Sequence, residues 1–446
     1  MTAGNGIMNA IVIRGVLVGA LAGLLFGFDT AVIAGVTGGL RTVYQLSPAG
    51  LGITVSSALW GTLAGALLAG APGDRFGARQ CLKAIAILYF ASAAGCALAW
   101  NWPMLLVFRV MAGFAIGAST VLAPVYVTEI APPAWRGAMV GMFQFNITFG
   151  ILVAYLSNYL IGTLQLGADE WRWKFSIAVL PGIILFALLF TIPQSPRWLA
   201  LRGRRAEAQN ILRQIAPGIS KAEEDAILLN NPAAAQDRKL SWSKYRKPIL
   251  LAFGIAAFNQ LAGINAILYY INDIFAAAGF SKVSSDQQSI LIGATNLLFT
   301  IPALYLIDRI GRKSLLLIGS VGLFVTLFGT AAIMYSGLHP NLLLWMLIGF
   351  IAAFAFSQGA VIWVYISEIF PTEVRARGQS IGSSTHWLMN AIIAALFPVV
   401  AAYSKGAPFV FFAGMVVLQF FVVLFFFPET KRAALEDISA IVSKSV

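Results

Sequence analysis

The sequence predicts an all-α membrane protein of twelve transmembrane helices, built as two six-helix parallel repeats joined by a cytoplasmic helical linker. Three observations carry this prediction. Mean hydropathy is +0.82. With 59% hydrophobic and 11% charged residues over 446 positions, the chain is too apolar for a soluble globular protein. Runs of the roughly 20 apolar residues that a bilayer core requires recur along the chain. Finally, three motifs appear twice at nearly one spacing.

The apolar runs lie at 11–36, 51–72, 81–100, 103–126, 138–163, 174–193, 248–276, 287–307, 314–336, 341–368, 378–403 and 407–427. The first has no small-residue cleavage site closing a short apolar core, so it reads as a retained span rather than a signal peptide. Between the sixth and seventh runs lies the one long polar stretch, 194–247, where RGRRAEAQNILRQIA and KAEEDAILL predict short surface helices. The expected organisation is therefore a six-helix bundle at 1–193, linker helices at 194–247, a second bundle at 248–427 and a tail at 428–446. Cys81 and Cys96 share one apolar run, about 22 Å apart on a straight helix and beyond disulfide reach. No metal motif is present, and neither a metal nor a cofactor is expected.

The net charge of +12 raises nucleic acid as a partner, but the placement of the basic residues argues for topology instead. With a cytoplasmic N-terminus, 24 of the 30 Lys and Arg fall on the cytoplasmic side, eleven of them in the linker. Arg41, Arg172, Lys174, Lys282 and Lys405 fall outside, and Arg109 lies within a span. Both termini are expected in the cytoplasm, in a multi-pass protein whose partner is the lipid bilayer.

GDRFGAR at 73–79 returns as IDRIGRK at 307–313, EIAPPAWRG at 129–137 as EIFPTEVRA at 368–376, and PQSPR at 193–197 as PETKR at 428–432. The offsets are 234, 239 and 235, so the second half repeats the first. Parallel repeats of this kind place a substrate site between the halves near the membrane midplane. The repeated loops carry acids and bases: Asp74, Arg75, Glu129 and Arg136 in one half, and Asp308, Arg309, Glu368 and Arg375 in the other. Paired across helix ends, these form a cytoplasmic latch that holds one conformation and breaks in another; the plainer alternative is a solvated charge rim.

On GDRFGAR, PQSPRW, IDRIGRK, ISEIFPTEVRARG and PETK the chain resembles a sugar porter of the major facilitator superfamily over essentially its whole length. The resemblance implies the major facilitator fold, the bacterial inner membrane as location, a monomer, and secondary transport of a monosaccharide rather than an enzymatic activity. Two positions depart from the family pattern: Gln194 stands where Glu is usual, and Ala78 where Arg is usual.

Asp29, in LLFGFDTAVIAG, is a carboxylate at membrane depth, which is costly unless paired or neutralised. Asp29 lies about 10 Å, and Arg109 about 9 Å, below the same outer face at 1.5 Å per residue. A carboxylate that gains and loses such a partner changes its affinity for a proton. The alternative is a permanent ion pair between spans 1 and 4. The resemblance favours coupling, because proton-coupled bacterial and plant sugar porters have Asp here with Arg on span 4.

A sugar needs neutral donors and acceptors with an aromatic face. The chain offers Gln144, Asn259, Gln260, Asn265, Asn296, Trp363, His386 and Asn390. Gln260 and Asn265 lie about 140° apart on a helix and are expected to line a cavity where span 7 bends at Gly263. Each residue taken singly reads equally well as an interhelical hydrogen bond. As a set they match the family's sugar-contacting positions, and Tyr269 and Tyr270 match its outer-gate tyrosines. Asn259, the stretch SQGA at 357–360 and His386 depart from that pattern, which leaves the sugar, hexose or pentose, open. His386 reads as a neutral partner of one hydroxyl, with a place in the proton path as the alternative. The rival functions are a uniporter with a structural Asp29, a sugar sensor, and a membrane enzyme; the last lacks a nucleophile or clustered catalytic acids at one depth.

Overall fold

A computed structural model describes residues 10–131, 136–216, 219, 221, 224–225, 240–371 and 374–431, with the side chains of all but 136–141, 304 and 376. Among the described residues every regular element is helical. Twelve helices are long and apolar enough to cross a membrane: Ala10–Gly35, Pro48–Leu68, Ala78–Leu98, Trp102–Ile130, Met142–Thr163, Gly167–Leu188, Trp242–Tyr269, Lys282–Ile310, Arg312–Ser336, Leu342–Glu368, Arg377–Tyr403 and Ala407–Phe426. They are spans 1 to 12 below. Pro196–Leu201 and Arg205–Ile215 form linker helices, the first capped by the Ser195 hydroxyl at 3.3 Å from the Trp198 N–H. Most of the second predicted linker helix, KAEEDAILL, lies outside the described residues.

Spans 6 and 8, like span 7, begin earlier than the apolar runs indicate. Span 6 opens with a 3-10 turn, Gly167–Asp169, and the helix Glu170–Ser176 before Val179–Leu188. Span 8 starts at Lys282, where the Ser281 hydroxyl accepts from the Ser284 N–H at 3.3 Å. Both extensions carry charge, so an apolarity count stops short of them.

Span 7 bends where the sequence places the bend. Trp242–Leu261 ends before Gly263, which has φ +87°, and the chain resumes as Ile264–Tyr269 and Ile271–Ala277. That φ favours glycine, and a Cβ on Gly263 would stand 2.3 Å from Cδ2 of Phe412. Span 10 is interrupted without a proline: Ala355–Gly359 is a π-helical turn, a common mark of functional helices.

The chain resolves into two compact units. The first comprises Met1–Phe28, Gly61–Gly150 and Phe175–Ala235; the second comprises Asp29–Trp60, Ile151–Lys174 and Gln236–Val446. Inside each, glycines let helices touch backbone to backbone, the packing that membranes favour. In the first, a Cβ on Gly61 would meet the Val110 carbonyl at 2.1 Å, and one on Gly117 the Thr62 carbonyl at 2.0 Å, locking span 2 to span 4. In the second, a Cβ on Gly52 of span 2 would stand 2.1 Å from the Ala395 carbonyl of span 11, and one on Gly293 of span 8 would stand 3.1 Å from Cα of Leu152 of span 5.

Candidate functional site

The bend at Gly263 gathers side chains that a straight helix would spread. Gln260 sits at the centre. Its amide nitrogen donates to Oδ1 of Asn259 at 2.9 Å, and its carbonyl accepts from Nδ2 of Asn265 at 2.9 Å. Its amide nitrogen also lies 3.2 Å from Nδ1 of His386 on span 11. The His386 ring stands 5.1 Å from the Trp363 ring of span 10 and 5.1 Å from that of Trp387. One turn along span 11, Nδ2 of Asn390 donates to the Tyr269 hydroxyl at 3.0 Å. Asn259, Gln260, Asn265, His386 and Trp363 thus form one connected group inside the second unit, with the pair of Tyr269 and Asn390 beside it. Trp363 keeps 40% of its surface exposed, while Gln260, Asn259 and Asn390 are buried.

Tyr270 is held separately. Its hydroxyl donates to the Ala394 carbonyl at 2.8 Å, and its ring stacks on Phe397 at 5.0 Å. The stretch between the bend and this tyrosine is also fastened by Tyr155 of span 5, whose hydroxyl donates to the Leu268 carbonyl at 2.8 Å. The sequence reading did not single out Tyr155, because a tyrosine in an apolar run carries no signal until its partner is known. Asn296 is buried on span 8, and Gln144 is half-buried on span 5 in the first unit. Gln358 donates to Gln419 of span 12 at 2.8 Å, so its amide nitrogen serves the scaffold of the π turn.

Asp29 and Arg109 are both buried. Arg109, in the first unit, has its guanidinium 5.7 Å from the centre of the Phe175 ring, close enough for a cation–π contact.

The repeated loops differ between the halves in an instructive way. In the second half the centre is Arg312, which the sequence reading passed over. It forms a two-pronged bond to Glu368 at 2.7 and 3.1 Å and reaches Asp308 at 2.8 Å. Thr430 donates to Glu368 at 2.6 Å, and the Glu429 carboxylate accepts from the N–H groups of Arg312 and Lys313 at 2.9 and 3.0 Å. Arg309 instead lies over the Tyr305 ring at 4.1 Å, and Arg375 donates to the Phe370 carbonyl at 3.4 Å.

In the first half the position equivalent to Arg312 is Ala78, and that equivalent to Glu429 is Gln194. Glu129 is hydrogen-bonded to the Ser195 side chain, with Arg197 nearby. Asp74 enters through its carbonyl, which accepts from Trp198 and Arg202 at 2.8 and 2.9 Å, and Arg75 lies over Phe76. The side chain of Arg136 lies outside the described residues. The missing signal was available, because aligning the two repeats sets Arg312 against Ala78.

Twelve membrane-length helices, duplicated loop motifs and a buried hydrogen-bonding group of amides and rings define a class: multi-span carriers of small polar solutes. The family model described as "Sugar (and other) transporter" matches residues 15–442. The chain belongs to that family, the sugar porters of the major facilitator superfamily. Among curated relatives, it is 37% identical over 429 residues to the arabinose-proton symporter of Bacillus subtilis, spanning 94% of this chain and 92% of that one. It is 35% identical to the D-xylose-proton symporter of Escherichia coli, spanning 95% and 94%. Among solved structures, the inward open conformation of the xylose transporter XylE from E. coli aligns with TM-score 0.86 at 32% identity, covering 96% and 99%. XylE bound to 6-bromo-6-deoxy-D-glucose aligns with TM-score 0.77, covering 97% and 99%.

Proposed function

We propose that this protein carries a monosaccharide across the bacterial inner membrane in symport with protons, by alternating access of a site between its two sequence halves. The observation that carries the reading is the buried group centred on Gln260. It is a set of neutral donors and acceptors on spans 7 and 11 beside the Trp363 ring, which is what a polyol with an apolar ring face requires. Its amides bond one another, so a sugar exchanges bonds already made for bonds to its hydroxyls. The net gain per bond is then small, on the order of 1 kcal/mol. A carrier benefits from this, since it must release what it binds. Gln144 and Asn296 extend the site, and Tyr269 with Tyr270 form its outer gate.

Asp29 carries the proton, and Arg109 tunes its affinity for it. A charge at this depth is costly unless it has a role or a partner. The excess of basic residues on the linker side puts that side and both termini in the cytoplasm. The protein works as a monomer, with residues 1–193 and 248–427 as the rocking bodies and the repeated loops as the cytoplasmic latch. The sugar favours the occluded state only as far as it binds that state more tightly than the open ones.

The test is sugar-induced alkalinisation outside weakly buffered proteoliposomes, with pentoses first in the panel because of the names of the relatives. Wild type should alkalinise the medium with at least one sugar, while Asp29→Asn should lose that signal yet still exchange labelled sugar. Sugar movement with no proton flux in either protein would make the carrier a uniporter.

A further inference from the structure

The second unit contains a lysine with no exposed surface. Lys174, on span 6, has a side-chain exposure of 0%. Its ammonium lies 2.7 Å from Glu170, 3.7 Å from Asp286 on span 8, and donates to the Gly35 carbonyl at the end of span 1 at 2.9 Å. Asp286 in turn accepts from Asn272, which accepts from Ser289, and Glu170 accepts from Lys282. Lys174, Glu170 and Gly35 belong to the first sequence half; Asp286, Asn272, Ser289 and Lys282 belong to the second. Asn272 sits on Ile271–Ala277, the short helix that continues span 7 beyond the tyrosines. Its neighbour Asp273 pairs with Arg41 of the first half at 3.2 Å.

A buried ammonium is tolerated only where charge and hydrogen bonds both satisfy it. Here the residues that satisfy it come from both halves. Separating those halves would strand Lys174 away from Asp286, and so from the chain of Asp286, Asn272 and Ser289 in the second half. The same face is closed by glycine contacts: Gly52 against Ala395, and Gly293 against Leu152.

We infer that Lys174 and Asp286 form a buried ionic lock on the face opposite the linker, holding that face shut through Asn272 and the last helix of span 7. This rests on the alternating-access reading above. Lys174 and Asp286 are positioning residues: they set how often the outer end of the path opens and do not touch the sugar. The lock binds the helix that follows Tyr269 and Tyr270, so sugar contacts at Asn390 and the lock act on one short segment from opposite ends.

Ser56 provides the reporter. It lies one helical turn after Gly52, on the face that meets span 11, and is buried at 2%. Ser56→Cys would be placed in a full-length Cys81→Ala background, with Cys96 of span 3, also 2% exposed, kept as the internal reference. The purified protein in detergent micelles is labelled with a thiol reagent, and each site is read by mass spectrometry. Lys174→Met and Asp286→Asn are each expected to speed labelling at position 56 by about tenfold while Cys96 labels at its original rate. Such a change corresponds to about 1.4 kcal/mol. Lys282→Gln removes a side chain 64% exposed and is expected to change the rate less than about twofold.

Equal acceleration at both cysteines in the Lys174→Met and Asp286→Asn proteins means loss of the fold rather than of a lock, and overturns the inference. So does unchanged labelling at position 56 in proteins that still transport. Failure of every sugar to be transported by the unaltered protein overturns the transport reading and the lock with it.

Discussion

The duplicated loops allow one interaction to be measured against its own missing copy. In Arg312→Met the guanidinium loses both prongs to Glu368, whose side chain is only 18% exposed, and a contact to Asp308, which is 75% exposed. The Asp308 contact is an ordinary surface pair, worth about 0–1 kcal/mol. The cost is therefore set by Glu368, left half-buried without its cation. Breaking a buried pair from one side costs about 3–5 kcal/mol, and partial exposure places this one at the lower end, near 3 kcal/mol. Glu368→Gln should cost about 2 kcal/mol, since Thr430 can still bond the amide. The double variant should cost little more than Arg312→Met, giving a coupling of about 2 kcal/mol. In the first half, Ala78 offers Glu129 no such guanidinium, so Glu129→Gln should cost less than about 1 kcal/mol. The assay is equilibrium unfolding in mixed micelles for the four proteins of the cycle and for Glu129→Gln. A coupling below about 0.5 kcal/mol, or a loss at Glu129 equal to that at Glu368, would refute the reasoning.

Gln260→Ala removes the hub that Asn259, Asn265 and His386 share, and sugar affinity should fall between about tenfold and a hundredfold, measured by equilibrium binding of the transported sugar. Gly263→Ala puts a Cβ 2.3 Å from the Phe412 ring at φ +87°. Backbone strain alone should cost about 1–2 kcal/mol, and the protein should unfold at lower denaturant and lose uptake. Gly52→Val wedges span 2 away from the Ala395 carbonyl. Net uptake should fall at least about tenfold, while Ser56→Cys in that background labels faster; normal uptake would show that this contact need not close.

Much of the fold was legible in the sequence, because hydropathy marks spans and the repeated motifs align the halves. The bend at Gly263 and the grouping of Gln260 with Asn265 were legible too, since glycine marks the break and the spacing sets the side. The early starts of spans 6 and 8 were not. Lys174 counts only as an outer basic residue in the sequence, and Glu170 and Asp286 carry no signal there, because apolarity cannot tell a solvated charge from one neutralised by residues more than a hundred positions away. Span 10 shows a different gap. A stretch without proline at 357–360 suggests a straight helix, yet the π turn at Ala355–Gly359 supplies an interruption through backbone bonding that composition does not encode. Tyr155 and Arg312 were visible as residue types, but their partners exist only in three dimensions.

Ala78 and Gln194 are more than two separate departures from a pattern. In the second half, Arg312 grips Glu368 while Glu429 receives the first N–H groups of span 9. In the first half, Gln194 turns to the Phe76 carbonyl at 3.2 Å, and no guanidinium stands at position 78. Among the described residues, one repeat thus sets a guanidinium against a carboxylate, while the other turns Arg202 to the Asp74 and Arg75 carbonyls. At 0.1 M, ions in the medium screen exposed charges more than about 10 Å apart, and a half-buried pair in contact far less. The grip of Arg312 on Glu368 therefore outlasts rising ionic strength, which reaches the exposed Asp308 first.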